Sequence, residues 1–256
     1  MNYFYGITNN IIKCQLTIPC FQNKGKRDDS YSLFEFKIIN NKWQIIDLNH
    51  LKINKNFYRV NNELIKKNNF FCLLKKDNYK KIKILPKIEL KNFNNFTDTD
   101  PAFRSNLKIY IEGGGHSSYQ SEYPYAMTAN RGSLLSPIST LLYKEADKNF
   151  IFLKNIMKVP SITQHKVFLV NISSKKIINE FFVHTNSINE IPIDKSYIKP
   201  EIYLCSKDIF FVPMFVSIKN DYLSIEHTHP PHDYVPGVNS KKKVSLLKDK
   251  VYEIIT

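Results

Sequence analysis

Glycine is scarce: seven occur in 256 residues. Few turns can therefore use glycine to reach positive φ, and asparagine is the residue expected to take those places. Lysine, asparagine and isoleucine are abundant, a bias of A+T-rich coding that weakens a functional reading of the lysine count. Cysteine is limited to Cys14, Cys20, Cys72 and Cys205, with no CxxC pair. That spacing excludes a zinc ribbon and a disulfide-dense scaffold and predicts buried free thiols. No apolar run approaches the length of a transmembrane helix. The opening residues MNYFYGITNNIIKCQL lack the basic start and apolar core of a secretory signal, so a cytoplasmic location is expected.

The formal net charge is +14, which raises the question of a nucleic-acid or anionic-membrane partner. Over residues 1–100 there are 18 Lys and Arg against 9 Asp and Glu, but they occur in ones and twos, as at Lys75-Lys76 and Lys80-Lys81. With no helical stripe, Arg-rich arm or zinc finger, specific nucleic-acid binding is not expected.

Strand signals dominate the rest. Ser32–Ile39, Asn40-Asn41 and Lys42–Leu48 predict a hairpin with an asparagine turn. Phe70–Lys76, a turn at Asp77-Asn78 and Ile82–Leu90 predict a second pair, with Pro86 restricting the last strand to an edge or bulge. Asn92–Asp100 is polar and strand-poor and marks a boundary. Leu107–Glu112 then alternates, Leu107, Ile109 and Ile111 on one face and Lys108, Tyr110 and Glu112 on the other. Ser136-Pro137 has the form of a helix N-cap followed by proline at the first helical position, predicting one short helix to about Lys148. Strands follow at Phe150–Ile156, Lys166–Ile172, Ile177–His184, Ser196–Cys205, Ile209–Ile218 and Tyr222–His229.

The expected fold is mostly β: an N-terminal β-rich module over 1–97 and an antiparallel β-sandwich-like module over 98–256 carrying both candidate site segments. The stretch VNISSKKIINEFFVHTNSINEIPIDKSYIKPEIYLC resembles the hairpins of immunoglobulin-like and fibronectin-type domains, over about forty residues. A jelly roll is the alternative.

The first site segment is Glu112–Gly132, EGGGHSSYQSEYPYAMTANRG, which holds four of the seven glycines. It lacks periodicity, is near neutral and is crowded with hydroxyl and amide groups. Long aperiodic loops in compact domains are often functional, although a structural loop packing its own tyrosines is the competing reading. Tyrosine faces stack on sugar rings and polar side chains bond the hydroxyls, so the expected ligand is a carbohydrate or another small polar, polyhydroxylated molecule. The expected contacts are Tyr119, Gln120, Glu122, Tyr123 and Arg131. Glu112, His116 and Glu122 are the candidates for acid–base work. The segment matches neither the G-x-S-x-G elbow nor a phosphate-binding loop.

The second is Glu226–Tyr234, EHTHPPHDY, with three of the seven histidines in six residues. Strand parity places Leu223, Ile225, His227 and His229 on one face, so the two histidines continue the apolar row outward. Imidazoles two residues apart suit one metal, and the bend at Pro230-Pro231 lets His232 or Asp233 complete a site for zinc, manganese or iron. The order H-x-H-x-x-H partly resembles the H-x-H-x-D-H motif of metallo-β-lactamase-fold hydrolases; Pro231 stands where that family has Asp and the αββα pattern is absent, so the assignment is set aside. The H-x-H also resembles the first cupin motif, with Asp221 and Asp233 at the positions of its Gly and Glu. Three functions stand: a carbohydrate-binding protein with a divalent metal, a metal-dependent hydrolase or cupin-type lyase or oxygenase, and an assembly component contacting a protein partner.

Overall fold

A computed structural model describes residues 2–20, 30–54, 56–83, 88–90, 105–128, 132–227 and 239–256. The protein is mostly β, antiparallel throughout its described pairings and sandwich-like. It divides into two units, the first comprising residues 1–129, 156–162 and 186–188, the second 130–155, 163–185 and 189–256. No helix among the described residues is long and apolar enough to cross a membrane.

The first unit holds β1 (Asn2–Tyr3), β2 (Ile12–Pro19), β3 (Tyr31–Ile39), β4 (Lys42–Asp47), β5 (Phe57–Val60), β6 (Asn69–Lys75), α1 (Lys76–Lys83), β7 (Ser105–Ile111), β8 (His116–Ser121) and β9 (Tyr123–Pro124). One sheet runs β5-β2-β7-β8 and another β4-β3-β6. β1 pairs with β9, and Phe4, just after β1, bridges to Phe71 of β6. Phe36 stacks on Phe70 at 5.0 Å, with Tyr3 and Trp43 edge-on to Phe70 at 4.8 and 5.4 Å. The Trp43 indole N–H donates to the Lys158 carbonyl, so the returning segment 156–162 closes over this aromatic face. Asn186 holds that segment in place: its carboxamide accepts from the Met157 N–H and donates to the carbonyls of Val159 and Ser161.

The second unit holds β10 (Leu134–Pro137), β11 (Lys148–Lys154), β12 (Gln164–Asn171), β13 (Lys176–His184), β14 (Ile188–Pro192, in this unit from Asn189), β15 (Ile202–Ser206), β16 (Val212–Lys219), β17 (Tyr222–His227) and α2 (Ser240–Ile255). Its sheets run β10-β15-β12-β13 and β14-β11-β16-β17. Strands β11 to β15 follow the B–C–C′–E–F course of immunoglobulin domains: β11 beside β14, and β15 beside β12 with β13 beyond. The flanking strands are exchanged. β10, which comes first, takes the place beside β15 that strand G would hold, and β16 takes the place beside β11 that strand A would hold. The stretch VNISSKKIINEFFVHTNSINEIPIDKSYIKPEIYLC runs from the end of β12 through β13 and β14 to β15. One face of the first sheet is covered by α2, whose Leu247, Val251 and Ile255 pack with Leu135, Val170 and Cys205.

Asparagine does take the glycine-like positions. Asn40, Asn41, Asn186, Asn220 and Asn239 all have positive φ, whereas Gly113 is the one glycine among the described residues that does. All four cysteines are buried and free. Other expectations need correction. The helix expected from Ser136 is absent: Ser136 pairs with Leu204 as a strand residue, and residues 138–147 form turns before β11. Leu134, Leu135 and Ser136 are all buried, and the sheet provides that cover. Among the described residues the α-helices are instead α1 and α2, both lysine-rich. α1 replaces the turn at Asp77-Asn78 and the start of the strand expected at Ile82; Asp77 pairs with Lys80 one turn on, Tyr79 packs on Phe34 at 4.4 Å, and Ile82 is buried. Pro86 lies outside the described residues. β7 belongs to the first unit, which it joins by pairing with β2 over six residue positions.

Candidate functional site

The sheet β5-β2-β7-β8 shows how alternation separates a core face from a solvent-accessible one. On β2, Ile12, Cys14, Leu16 and Ile18 are buried, while Lys13, Gln15 and Thr17 point the other way and are half-buried. On β7, Ser105, Leu107 and Ile109 are buried, and Asn106, Lys108 and Tyr110 occupy the outer face. The three consecutive glycines are the β7–β8 turn. Gly113 has φ +76°, a conformation that side chains rarely adopt, and the turn closes with Gly114 N–H to the Ile111 carbonyl and Ile111 N–H to the Gly115 carbonyl. They make a hairpin, not a ligand cradle.

Glu112–Gly132 is thus largely strand. Its alternation was hidden because β8 is an edge strand with polar residues on both faces. Opposed residues in antiparallel strands share a face, so register defines the outer surface. Lys13, Tyr110 and His116 form one row; Gln15, Lys108 and Ser118 the next; Thr17, Asn106 and Gln120 the third. Arg59 of β5 extends the third row beyond Thr17. Rows are about 7 Å apart and neighbours within a row about 5 Å apart. The result is a grid of amides, hydroxyls, one imidazole, one phenol and three cations.

Two local contacts fix this surface. The Lys13 ammonium donates to the Glu112 carboxylate at 2.6 Å, which raises the lysine pKa, and the Gln15 side-chain amide donates to Asn61 Oδ1 at 3.0 Å. Lys108 and Arg59 have no carboxylate partner among the described residues.

The expected ligand contacts separate. Gln120 is on the outer face, but Tyr119 opposes Leu107 and belongs to the core-facing row. Tyr123 has 0% exposure; its hydroxyl donates to the Met127 carbonyl, and burial pushes its pKa up. It offers no ring face to a ligand, a correction that follows from its place in the tyrosine core with Tyr3 and Tyr5. Ser121 is also structural: its hydroxyl accepts from the Tyr5 N–H and donates to the Tyr5 carbonyl. Glu122 is half-buried, and its charge contributes to raising the Tyr5 pKa, after burial and Tyr123. Arg131 lies outside the described residues.

Of the acid–base candidates, Glu122 stands apart from Glu112 and His116, which flank the glycine turn. His116 begins β8 and Glu112 precedes its turn, whereas Glu122 follows the far end. Six strand steps separate His116 from Glu122, about 20 Å, too far for both to act at one bond. Sequence reasoning missed Lys13, Gln15, Thr17, Arg59 and Asn106. The signal was present in IIKCQLTIP, whose apolar and polar residues alternate as cleanly as those of β7.

In the second unit, His227 is the last residue of β17, paired with Met214. It is half-buried in the row of Leu223 and Ile225, while Ser224 and Glu226 are exposed on the opposite face, as parity requires. The same face holds Phe152, which also opposes Met214, and Lys154 two residues further. Lys154 is 1% exposed, and burial lowers its pKa to about 7. His229, His232 and Asp233 lie outside the described residues. Among the described residues, no three metal-ligating side chains cluster. The thiols are not poised nucleophiles, since burial pushes Cys14 and Cys205 up to about 12.

The two expected site segments belong to different units: residues 112–128 to the first and His227 to the second. No protein-family model matches the chain, and neither a curated protein nor a solved structure matches it.

Proposed function

We propose that the chain is a carbohydrate-binding protein whose ligand lies on the outer face of β5-β2-β7-β8. The observation that carries this is the register of Lys13–Tyr110–His116, Gln15–Lys108–Ser118 and Thr17–Asn106–Gln120. A sugar ring presents hydroxyls that both donate and accept, and Gln, Asn, Ser and Thr do the same in return. Each such bond contributes only about 0.5–1.5 kcal/mol net, so recognition needs several held in fixed geometry. A sheet supplies that geometry at little cost in ordering, because the backbone is already fixed. The Tyr110 ring gives one apolar surface at the edge of the grid.

The test is a glycan array followed by calorimetry on the best ligand, with the wild type and an Asn106→Ala/Gln120→Ala double variant. Both side chains are exposed, Asn106 on β7 and Gln120 on the edge strand β8, and circular dichroism verifies the variant's fold. Binding weakened about tenfold, the equivalent of roughly 1.4 kcal/mol, supports the reading. Binding to no glycan, or equal binding by the variant, removes it.

A second reading has one supporting observation. His227 sits half-buried at the end of an apolar row, where a metal held with His229 and His232 would serve either a binding protein or a hydrolase, lyase or oxygenase. Stoichiometric zinc, manganese or iron by elemental analysis, lost in His227→Ala, supports it; metal-free protein after purification without chelator ends it.

A further inference from the structure

We infer that the ligand of this sheet face is an acidic carbohydrate, one bearing carboxylate or sulfate groups, rather than a neutral one. The inference rests on the carbohydrate reading above and narrows it.

Three cations share the face: Lys13, Lys108 and Arg59. Lys13 is neutralised locally by Glu112. Lys108 and Arg59 have no ion pair among the described residues. They are also placed differently. Lys108 is half-buried at the centre of the grid, flanked in register by the neutral hydrogen-bonding residues Gln15 and Ser118. Arg59 is exposed at the side of the grid, with its planar fork available for bidentate capture of a carboxylate or sulfate. Register fixes their separation. Lys108 opposes Gln15 and Arg59 opposes Thr17, so their Cα atoms lie two strands and two residues apart, roughly 12 Å. Two cations at that spacing, with Thr17, Asn106 and Gln15 beside them, match successive anionic groups along a chain whose intervening atoms are hydroxyl-rich.

A nucleic acid is the other polyanion to consider. Sheets that bind single strands do so by stacking bases on several aromatic rings. On this face the aromatics are Tyr110, in one end row, and Phe57, beyond Arg59 at the opposite end, so no run of adjacent rings forms a stacking platform. The amides and hydroxyls that take the remaining positions serve a sugar acid better than a base ladder.

The experiment uses the full chain and defined probes: an oligogalacturonate, its methyl-esterified neutral counterpart, a sulfated heparin-derived oligosaccharide and oligo-dT, each at low and high salt. Lys108→Gln and Arg59→Gln remove one charge each, and Lys144→Gln, an exposed cation of the second unit, controls for overall net charge. Circular dichroism verifies each variant's fold. The expected result is at least tenfold preference for a carboxylated or sulfated probe over the methyl ester. Each sheet-face variant loses about fivefold or more, Lys144→Gln loses nothing, and affinity falls with salt. Equal binding of the neutral ester overturns the inference while leaving the carbohydrate reading standing. Equal losses from all three lysine and arginine variants also overturn it, since net charge alone then explains the affinity. Binding of oligo-dT alone, or of no probe, overturns both.

Discussion

Replacing Lys154 by methionine should remove a pH dependence of stability that falls in a defined window. Lys154 is 1% exposed on a strand whose neighbours on the same face include Phe152 and Met214. Burial lowers its pKa from 10.5 to about 7, while in the unfolded chain it returns to the ordinary lysine value. Between pH 7 and about 10.5 the unfolded state therefore binds a proton that the native state does not, so native stability rises with pH. Below pH 7 both states are protonated and the penalty is constant. At 1.36 kcal/mol per pKa unit, the penalty is on the order of 4 kcal/mol at pH 7 and about 1 kcal/mol at pH 10, as upper bounds. Lys154→Met removes it with little change in side-chain length. Urea unfolding of wild type and variant at pH 7, 8, 9 and 10 should give two curves that converge as pH rises. Circular dichroism should follow the transition, because the single tryptophan, Trp43, reports on the first unit. The comparison also cancels the opposing effect of Cys14 and Cys205: thiols at about 12 in the native state and 9 when unfolded cost stability above pH 9 in both proteins. Parallel curves for wild type and variant would refute the reasoning.

A β-carbon on Gly6 would lie 2.6 Å from Ile65 Cδ1 and 2.7 Å from Cys14 Sγ; Gly6→Ala should cost about 1–3 kcal/mol by overpacking, read from Trp43 fluorescence in urea. Asn186→Ala removes three hydrogen bonds that hold segment 156–162 and leaves alanine at φ 51°; a loss of about 2–4 kcal/mol is expected, and Asn186→Gly, which keeps the backbone freedom, should lose less. The four thiols should resist an aromatic disulfide reagent in native buffer at pH 8 and react fully in denaturant, and rapid native labelling would contradict their burial.

The strand pattern was legible where a buried face meets a solvated one. The hairpin over Asn40-Asn41, β7 and the hairpin of β12 and β13 follow from alternation and turn chemistry alone. The Leu134–Pro137 region was misread because Ser-Pro has the same local form at a helix start and at a strand end; long-range pairing with β15 decides it, and no local signal carries that. At Glu112–Gly132 the difficulty was different. An edge strand need not bury either face fully, so HSSYQS has no hydrophobic period to read. Once β8 is placed in register, the adjacent pair Tyr119 and Gln120 points to opposite faces, which composition could not show. The outer-face grid draws on β2, β5, β7 and β8, from Lys13 to Gln120, and only the sheet brings them together.

The most direct test of the account is a map of where a glycan contacts the chain. Amide chemical shifts of isotope-labelled protein should be followed during titration with the best-binding oligosaccharide. The account predicts perturbations concentrated on Lys13–Thr17, Asn106–Tyr110 and His116–Gln120, with Arg59 beside them, and saturation at one site. Saturable shifts confined to other strands, or none at millimolar ligand, would contradict it.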